Sequence, residues 1–147
     1  MTFRVKTTKG NDRIWNATGR LGEDIAAKFI ANKGFNIIAR NYRRKWGEID
    51  IVAEFDNELH FIEVKAVSRE NKNDVTHETN SIRNNDAYRA EDNIHPTKLK
   101  RLSRTIQSYL ASEGMSSSEN WHFDAITVIM NGVSRKAFVT MINDLIL

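Results

Sequence analysis

Two short apolar segments joined by a polar turn constrain this chain more than any other feature. The segments are residues 47–53 and 61–65, and both carry charged side chains among β-branched and aromatic ones. The turn-prone residues 56–58 between them predict an antiparallel hairpin whose strands span 48–54 and 59–67. Charges on such strands are costly to bury without a compensating partner, so the hairpin indicates a metal-dependent site.

Side chains alternate between the two faces of a strand, and this alternation predicts how the charged residues are grouped. On the second strand of the hairpin, Glu63 and Lys65 fall on the same face and are neighbours. The predicted faces of this strand are Phe61, Glu63 and Lys65 on one side and Ile62, Val64 and Ala66 on the other.

On the first strand, the same alternation predicts Glu48 and Asp50 on one face, opposite Ile49 and Ile51. Folding of the hairpin then brings Asp50 against Glu63. Two carboxylates held this close repel each other unless a proton or a cation lies between them. Carboxylate oxygens are hard ligands, which favour Mg²⁺ or Mn²⁺ over zinc.

The chemistry that such a pair supports is cleavage of a phosphodiester bond. A divalent ion held by Asp50 and Glu63 would polarise a phosphate oxygen and lower the pKa of a bound water, which then attacks phosphorus. Lys65 would orient that water or neutralise charge in the transition state. The alternative is a surface hairpin with a Glu–Lys ion pair and an incidental Asp50, because so short a motif also arises by chance.

The motif belongs to a longer pattern that resembles a known family. Asp50 followed by Glu63-Val64-Lys65 is similar to the Asp…(Asp/Glu)-x-Lys signature of restriction-endonuclease-like nucleases. The wider pattern consists of Gly19-Arg20-Leu21-Gly22-Glu23, Ala26 to Gly34-Phe35, Arg40-Asn41-Tyr42-Arg43, Gly47-Glu48-Ile49-Asp50 and Phe61-Ile62-Glu63-Val64-Lys65. In order and spacing it resembles the YraN family of endonuclease-like proteins, which is similar to archaeal Holliday junction resolvases.

This resemblance implies an α/β fold, a restriction-endonuclease-like αβββαβ sandwich with a mixed central sheet, and a metal-binding site. It also gives Glu23 a role as an auxiliary catalytic ligand, since the first helix is expected to turn this carboxylate toward its apolar side. The alternative for Glu23 is a residue of the first helical turn that favours the helix dipole. Two departures are Val67, where many relatives carry Arg, and a longer polar segment from residue 70 to about 95.

The basic residues form two clusters, although the formal net charge is only +3 and the pI is about 9.3. The clusters are Arg40, Arg43, Arg44 and Lys45 before the first motif strand, and Lys98, Lys100, Arg101 and Arg104 on a later segment. Such patches suit phosphate contacts, which supply affinity without reading sequence. The alternative is a set of solvated helix and strand edges.

The remaining sequence predicts one domain at 19–147, preceded by an N-terminal arm at 1–18 and interrupted by a polar insertion at about 70–95. Helices are expected at 19–33 and from Pro96 to about 112, with strands at 36–42 and 121–130. Residues 137–147 fit an edge strand, a final helix or a dimer contact. Asp124 interrupts its strand, for which a local hydrogen bond is expected rather than catalysis.

The expected compartment is the cytoplasm, because the chain contains no cysteine and no run of apolar residues that would span a membrane or act as a secretory signal. The expected function is that of a Mg²⁺- or Mn²⁺-dependent endonuclease acting on DNA. Its substrates are expected to include branched or damaged DNA in repair or recombination. A nucleic-acid-binding module with negligible turnover is the alternative, and RNA is a second possible partner. Action on junctions would need two sites on one DNA, and hence a homodimer.

Overall fold

The computed structural model describes residues 2–4, 18–69, 95–116 and 119–147. The predicted arm at 1–18 is therefore described only at Thr2–Arg4 and at residue 18. The polar insertion predicted at about 70–95 lies outside the described residues except for residue 95.

Six strands and two helices make up the described part of the chain. In order they are β1 (Thr2–Arg4), α1 (Thr18–Asn32), β2 (Asn36–Arg44), β3 (Gly47–Phe55), β4 (Glu58–Arg69), α2 (Pro96–Ser112), β5 (Trp121–Asn131) and β6 (Lys136–Ile142). The strands form one sheet in the order β1-β6-β5-β4-β3-β2. Only β4 and β5 pair in parallel, and the other neighbours are antiparallel. The predicted α/β fold with a mixed sheet is confirmed.

Local sequence signals fix the turns that join these elements. After α1, Gly34 adopts a φ of 96° and ends the helix in the left-handed region that glycine tolerates. Between β3 and β4, Asp56 and Asn57 both have positive φ, of 53° and 63°. Positive φ at both central residues is the mark of the tight turn that matches the twist of a β-hairpin. The predicted hairpin is therefore present, with strands slightly longer than expected.

The sheet is covered by one helix on each face. Helix α1 packs on the face that contributes Ile51, Ile62 and Ile126 to a buried cluster. Helix α2 packs on the opposite face, where Leu102 and Ile106 meet Phe61. Neither helix is long and apolar enough to cross a bilayer.

The strand alternation expected around Asp50 proved wrong in one respect. Ile49 and Ile51 were expected to share a face, but Ile49 packs in the cluster with α2 and Ile51 in the cluster with α1. The regular pairing of β3 with β4 also begins where Phe55 pairs with Glu58 and ends where Ile51 pairs with Ile62. The side chains of Ile49 and Ile51 thus depart from the expected alternation where the pairing with β4 ends, although both residues keep their regular pairing with β2.

The C-terminal segment, for which the sequence left three alternatives, contains a strand. Strand β6 pairs with β5 on one side and with β1 on the other, so it is an interior strand of the sheet and not its edge. After β6, the amide of Asp144 donates to Asp124 Oδ1 at 2.9 Å, and the amide of Leu145 donates to the carbonyl of Phe123 at 2.8 Å. The local hydrogen-bonding role expected of Asp124 is confirmed.

A histidine and carboxylate network occupies the same end of the sheet as this tail. His60 Nδ1 lies 2.6 Å from Asp124 Oδ2, and the His60 ring stacks on that of His122. His122 contacts Asp144 through one ring nitrogen and Glu58 through the other. These hydrogen bonds, that to Asp144 above all, raise the pKa of His122. The network joins β4, β5 and the C-terminal tail.

The close approach of α1 to β4 gives a first prediction. A Cβ placed on Gly22 would overlap with the Cβ of Ala66, whereas one on Gly19 meets nothing within 4 Å. We therefore expect Gly22→Ala to lower the free energy of unfolding by about 1–3 kcal/mol, the usual cost of overpacking. Gly19→Ala, the control in the same helix, should leave stability unchanged or raise it by up to about 1 kcal/mol. Urea unfolding measures both, and equal effects would contradict the packing argument.

Candidate metal and nucleic-acid site

Asp50 is held where the pairing of β3 with β4 stops. Its Oδ2 accepts a hydrogen bond of 2.8 Å from the backbone N–H of Val64, two residues beyond the last regular pair on β4. The carboxylate thus takes the position that a backbone carbonyl would occupy in a continuous ladder. A side chain fixed in this way is positioned by the sheet itself.

The structure brings Asp50 close to Glu63, as the hairpin predicted. Burial, followed by the charge of Glu63, raises the pKa of Asp50 from its usual 3.8 to about 7, and the charge of Glu23 adds to this effect. The hydrogen bond from Val64 and the charge of Lys98 act in the opposite direction. Three carboxylates therefore share one electrostatic environment, in which a proton or a cation is favoured.

Lys98 forms an ion pair with Glu63 across the cleft between α2 and β4. The sequence assigned Lys98 to a basic cluster for phosphate contacts, but in the structure its amine contacts the candidate metal ligand. The side chain of Glu63 is 15% exposed and that of Lys98 is 53% exposed. Pro96 at the start of α2 places Lys98 in the first helical turn, and only the packing of that helix against the sheet reveals the contact.

Asn41 is a site residue for which the sequence gave no role. It lies on β2 between Arg40 and Tyr42, which pair with Ile51 and Ile49 on either side of Asp50. Its φ of 52° is unusual within a strand. With its amide nitrogen turned toward the carboxylates, Asn41 donates to Glu23 Oε2 at 3.1 Å and to Glu48 Oε1 at 2.8 Å. One amide therefore links the carboxylate of α1 with that of β3. Asparagine is among the residues that tolerate positive φ, which is the only local signal for this role.

Lys65, the lysine of the motif, has an exposed side chain. Within the described ranges it forms no ion pair, and it does not line the clefts around Asp50. It follows Glu63 by one pleat on the same strand, as expected. Its catalytic role stays a prediction.

Three adjoining clefts form what we call the Asp50 groove. The first, of about 680 Å³, lies beside α1 and is lined by Arg20, Glu23 and Asp50. The second, of about 540 Å³, lies beside α2 and is lined by Asp50, Glu63 and Lys98. The third, of about 650 Å³, continues from the second, with which it shares Trp46, Gly47, Glu48 and Arg101. Asp50 therefore lies where the first two clefts meet.

Most of the basic residues predicted for nucleic-acid binding line this groove. Those that do so are Arg40, Arg43, Arg44, Lys45, Lys98, Arg101 and Arg104, whereas Lys100 is exposed outside it. Arg40 is paired with Asp24 at 2.7 Å and Arg43 with Glu48 at 2.9 Å. These exposed pairs are weak and can be exchanged for phosphate at little cost.

Apart from Arg43, the cations of the third cleft are arranged differently. The Arg44 guanidinium lies 4.3 Å from the centre of the Tyr42 ring, and the Lys45 amine lies 4.3 Å from that of Trp46. Arg101 and Arg104 form no ion pair with the described part of the chain. This cleft therefore presents uncompensated positive charge beside the carboxylates.

The donor set around Asp50 fits a hard divalent cation. Among the described residues, no three His, Asp or Glu side chains converge closely enough to form a complete protein cage for a metal. Mg²⁺ does not require such a cage, because it is usually bound by one or two carboxylates and retains several waters. Asp50 and Glu63 would provide those two carboxylates, while Glu23 lies close enough to Asp50 to influence its pKa.

The raised pKa of Asp50 predicts how stability depends on pH without metal. Its unfolded value is near 3.8 and its folded value about 7, so the folded protein binds the proton more tightly and loses stability as pH rises from about 4 to 7. Asp50→Asn removes this loss. In EDTA, we expect Asp50→Asn to gain about 1–2 kcal/mol relative to wild type between pH 4.5 and pH 8, with allowance for partial exposure.

Urea unfolding at both pH values measures this difference, and the exposed turn variant Asp56→Asn is the control for removal of a negative charge. Parallel pH dependence of Asp50→Asn and wild type would show that Asp50 is not perturbed.

The unusual backbone of Asn41 gives a separate prediction. In an ordinary strand, glycine is less stable than alanine by about 0.5–1 kcal/mol. Because Asn41 has positive φ, we expect the reverse: Asn41→Ala should be less stable than Asn41→Gly by about 1 kcal/mol, and both should be less stable than wild type. Thermal or urea unfolding of the three proteins tests this order. A glycine variant less stable than the alanine variant would contradict it.

Comparison with known proteins identifies relatives across most of the chain. A family model described as the uncharacterised protein family UPF0102, also known as the YraN family, matches residues 22–128. A UPF0102 protein of Campylobacter jejuni is 39% identical over 99 residues, which cover 67% of this chain and 73% of the relative. One from Campylobacter fetus is 34% identical over 78% of this chain and 86% of its own length. One from Roseiflexus castenholzii is 32% identical over 75% of this chain and 77% of its own length.

The matched residues contain Glu23, Asn41, Asp50, Glu63 and Lys98, and so the carboxylates of the candidate site and the side chains that contact them. The resemblance inferred from the motifs is confirmed, and the chain belongs to the UPF0102 family.

Proposed function

We propose that this protein is a Mg²⁺- or Mn²⁺-dependent endonuclease that hydrolyses phosphodiester bonds of DNA. The observation that carries the proposal is the position of Asp50 at the junction of two clefts, with Glu63 beside it in one of them, in a groove lined by basic residues. Carboxylates that favour a cation are thereby placed where a phosphate backbone would be drawn by the surrounding Arg and Lys side chains. The resemblance to restriction-endonuclease-like nucleases supports the same conclusion.

In this proposal, Asp50 and Glu63 hold the metal and Glu23 assists from α1. A bound Mg²⁺ supplies a polarised phosphoryl oxygen and a water of lowered pKa. The backbone N–H of Val64 fixes the orientation of Asp50, and Asn41 bridges Glu23 and Glu48 by donating to both. Lys65 is assigned to orient the attacking water or to stabilise negative charge. Hydrolysis adds water across one phosphorus–oxygen bond and needs no other reactant.

The arginines and lysines of the groove hold the nucleic acid through its phosphates. Such contacts fix position and orientation without reading sequence, and they release counterions. Affinity should therefore fall steeply with salt. Branched or damaged DNA is the substrate class that the similarity to junction resolvases suggests, with a homodimer placing two sites on one DNA and the cytoplasm as compartment. RNA is an alternative ligand, since phosphate contacts alone do not distinguish it.

A nucleic-acid-binding module with negligible turnover is the second candidate. The ion pair of Lys98 with Glu63 favours it, because this amine compensates one carboxylate without any metal. A binding module would retain the basic groove and lose the need for Mg²⁺.

Cleavage of labelled single-stranded, duplex, flap and four-way-junction DNA in Mg²⁺ and Mn²⁺ tests the proposal. Wild type should cut at least one substrate, and EDTA should abolish scission. Asp50→Asn and Glu63→Gln should each lower the rate by at least about 100-fold, as removal of a metal ligand or of a key electrostatic group does. Glu54→Gln is the matched control, because Glu54 is an exposed carboxylate farther along β3.

Full activity of Asp50→Asn would overturn the assignment of the metal ligands. Salt-sensitive binding that persists in EDTA, with no scission of any substrate in either metal, would favour the binding module instead.

A further inference from the structure

The contact between Lys98 and Glu63 has a second consequence, which rests on the proposed function. We infer that Lys98 is an exchangeable counter-ion: a divalent cation displaces its amine from Glu63, and the released amine then binds a DNA phosphate in the Asp50 groove. Metal and DNA would in this way be bound cooperatively through one side chain on the first turn of α2. Lys98 is thus the counter-ion of Glu63 before metal binds and a phosphate ligand afterwards.

The geometry favours movement of the lysine and not of the carboxylate. Glu63 is 15% exposed and lies on an interior strand of the sheet, between β3 and β5. Lys98 is 53% exposed and reaches the contact from the edge of α2. A long aliphatic side chain with an exposed ammonium group can change rotamer without disturbing the core. The Lys98 amine can therefore leave while Glu63 stays in place.

The charges of the site favour the exchange. Lys98 is paired with Glu63, while Asp50 accepts its hydrogen bond from a neutral backbone N–H. One ammonium group thus faces two mutually repelling carboxylates and compensates only one of them. A divalent ion between Asp50 and Glu63 compensates both, and a lysine amine left within a few ångströms of it would be repelled.

The released amine has a place to go within the same cleft. Lys98 and Arg101 both line the cleft beside α2, and they are three residues apart on the helix, so their side chains lie on one face. Arg101 also lines the third cleft together with Arg104. A phosphate in this cleft could be contacted by Lys98 and Arg101 together. Two cations on a rigid helix are a preformed partner for a phosphate backbone.

Reciprocity makes the inference measurable. If metal frees Lys98 for DNA, then metal raises DNA affinity and DNA raises metal affinity by the same factor. Without DNA, the amine competes with the metal, so its removal should tighten metal binding. A lysine that merely positioned Glu63 for the metal would have the opposite effect when removed.

The experiment compares wild type with Lys98→Met, which keeps the chain length and removes the charge. Mn²⁺ affinity is measured by calorimetry without DNA. Junction-DNA affinity is measured by fluorescence anisotropy in EDTA and in Ca²⁺, a cation that takes the same oxygen ligands. We expect Lys98→Met to bind Mn²⁺ about three- to tenfold more tightly and to lose the Ca²⁺-dependent gain in DNA affinity that wild type shows.

Lys28→Met is the matched control, since it removes an equal charge from an exposed position on α1. It should leave Mn²⁺ affinity and the Ca²⁺-dependent gain within about twofold of wild type, because a distant exposed charge is screened by salt. Lys98→Arg, which keeps the charge, should restore wild-type Mn²⁺ affinity. Circular dichroism of each variant establishes that it is folded.

Unchanged or weaker Mn²⁺ binding by folded Lys98→Met would overturn the exchange, and so would an undiminished Ca²⁺-dependent gain. If wild type binds Mn²⁺ and cleaves DNA while Lys98→Met binds Mn²⁺ less tightly, the exchange fails and the proposed nuclease stands. If wild type itself binds no Mn²⁺, both fail together.

Discussion

Repulsion between two carboxylates at the end of a β-ladder is the constraint on which the rest of this structure depends. Asp50 and Glu63 lie on neighbouring strands whose other side chains build the core, so neither can move far from the other. A backbone N–H compensates Asp50 and the amine of Lys98 compensates Glu63, while the amide of Asn41 compensates the nearby carboxylates Glu23 and Glu48. Each comes from a different element. The two helices and β2 are thus tied electrostatically to one point of the sheet.

The order of elements could be predicted from the sequence because it depends on local signals. The turn at Asp56, the glycine after α1, the proline at the start of α2 and the apolar run of β5 each act over a few residues. The proximity of Asp50 to Glu63 could be predicted for the same reason, since a tight hairpin joins their strands.

The remaining features required the tertiary structure. Alternation along β3 fails between Ile49 and Ile51, where the regular pairing with β4 ends. Lys98 contacts Glu63 from a helix far along the chain, and no short sequence motif predicts that contact. Asn41 acts through a backbone conformation that a strand pattern does not predict. The pairing of β1 with β6 joins the two ends of the chain, and such long-range pairing leaves no local trace.

The family match covers the part of the chain that carries the candidate carboxylates. Residues 22–128 include α1 without its first turn, all of α2, the strands β2, β3 and β4, and most of β5. They exclude β1, β6 and the tail that Asp124 holds. The candidate site thus lies within the part shared with the family, while the far side of the sheet is completed by segments outside the match.

Val64 serves both the sheet and the site, because it is a residue of β4 and its backbone N–H donates to Asp50. A strand that slipped along its neighbour would present its apolar side chains to the wrong helix and would also leave Asp50 without its partner. A misfolded chain of this kind would not bring Asp50 and Glu63 together. The carboxylate pair is therefore a property of one register alone, and its electrostatic signature, the raised pKa of Asp50, reports that β3 and β4 are correctly aligned.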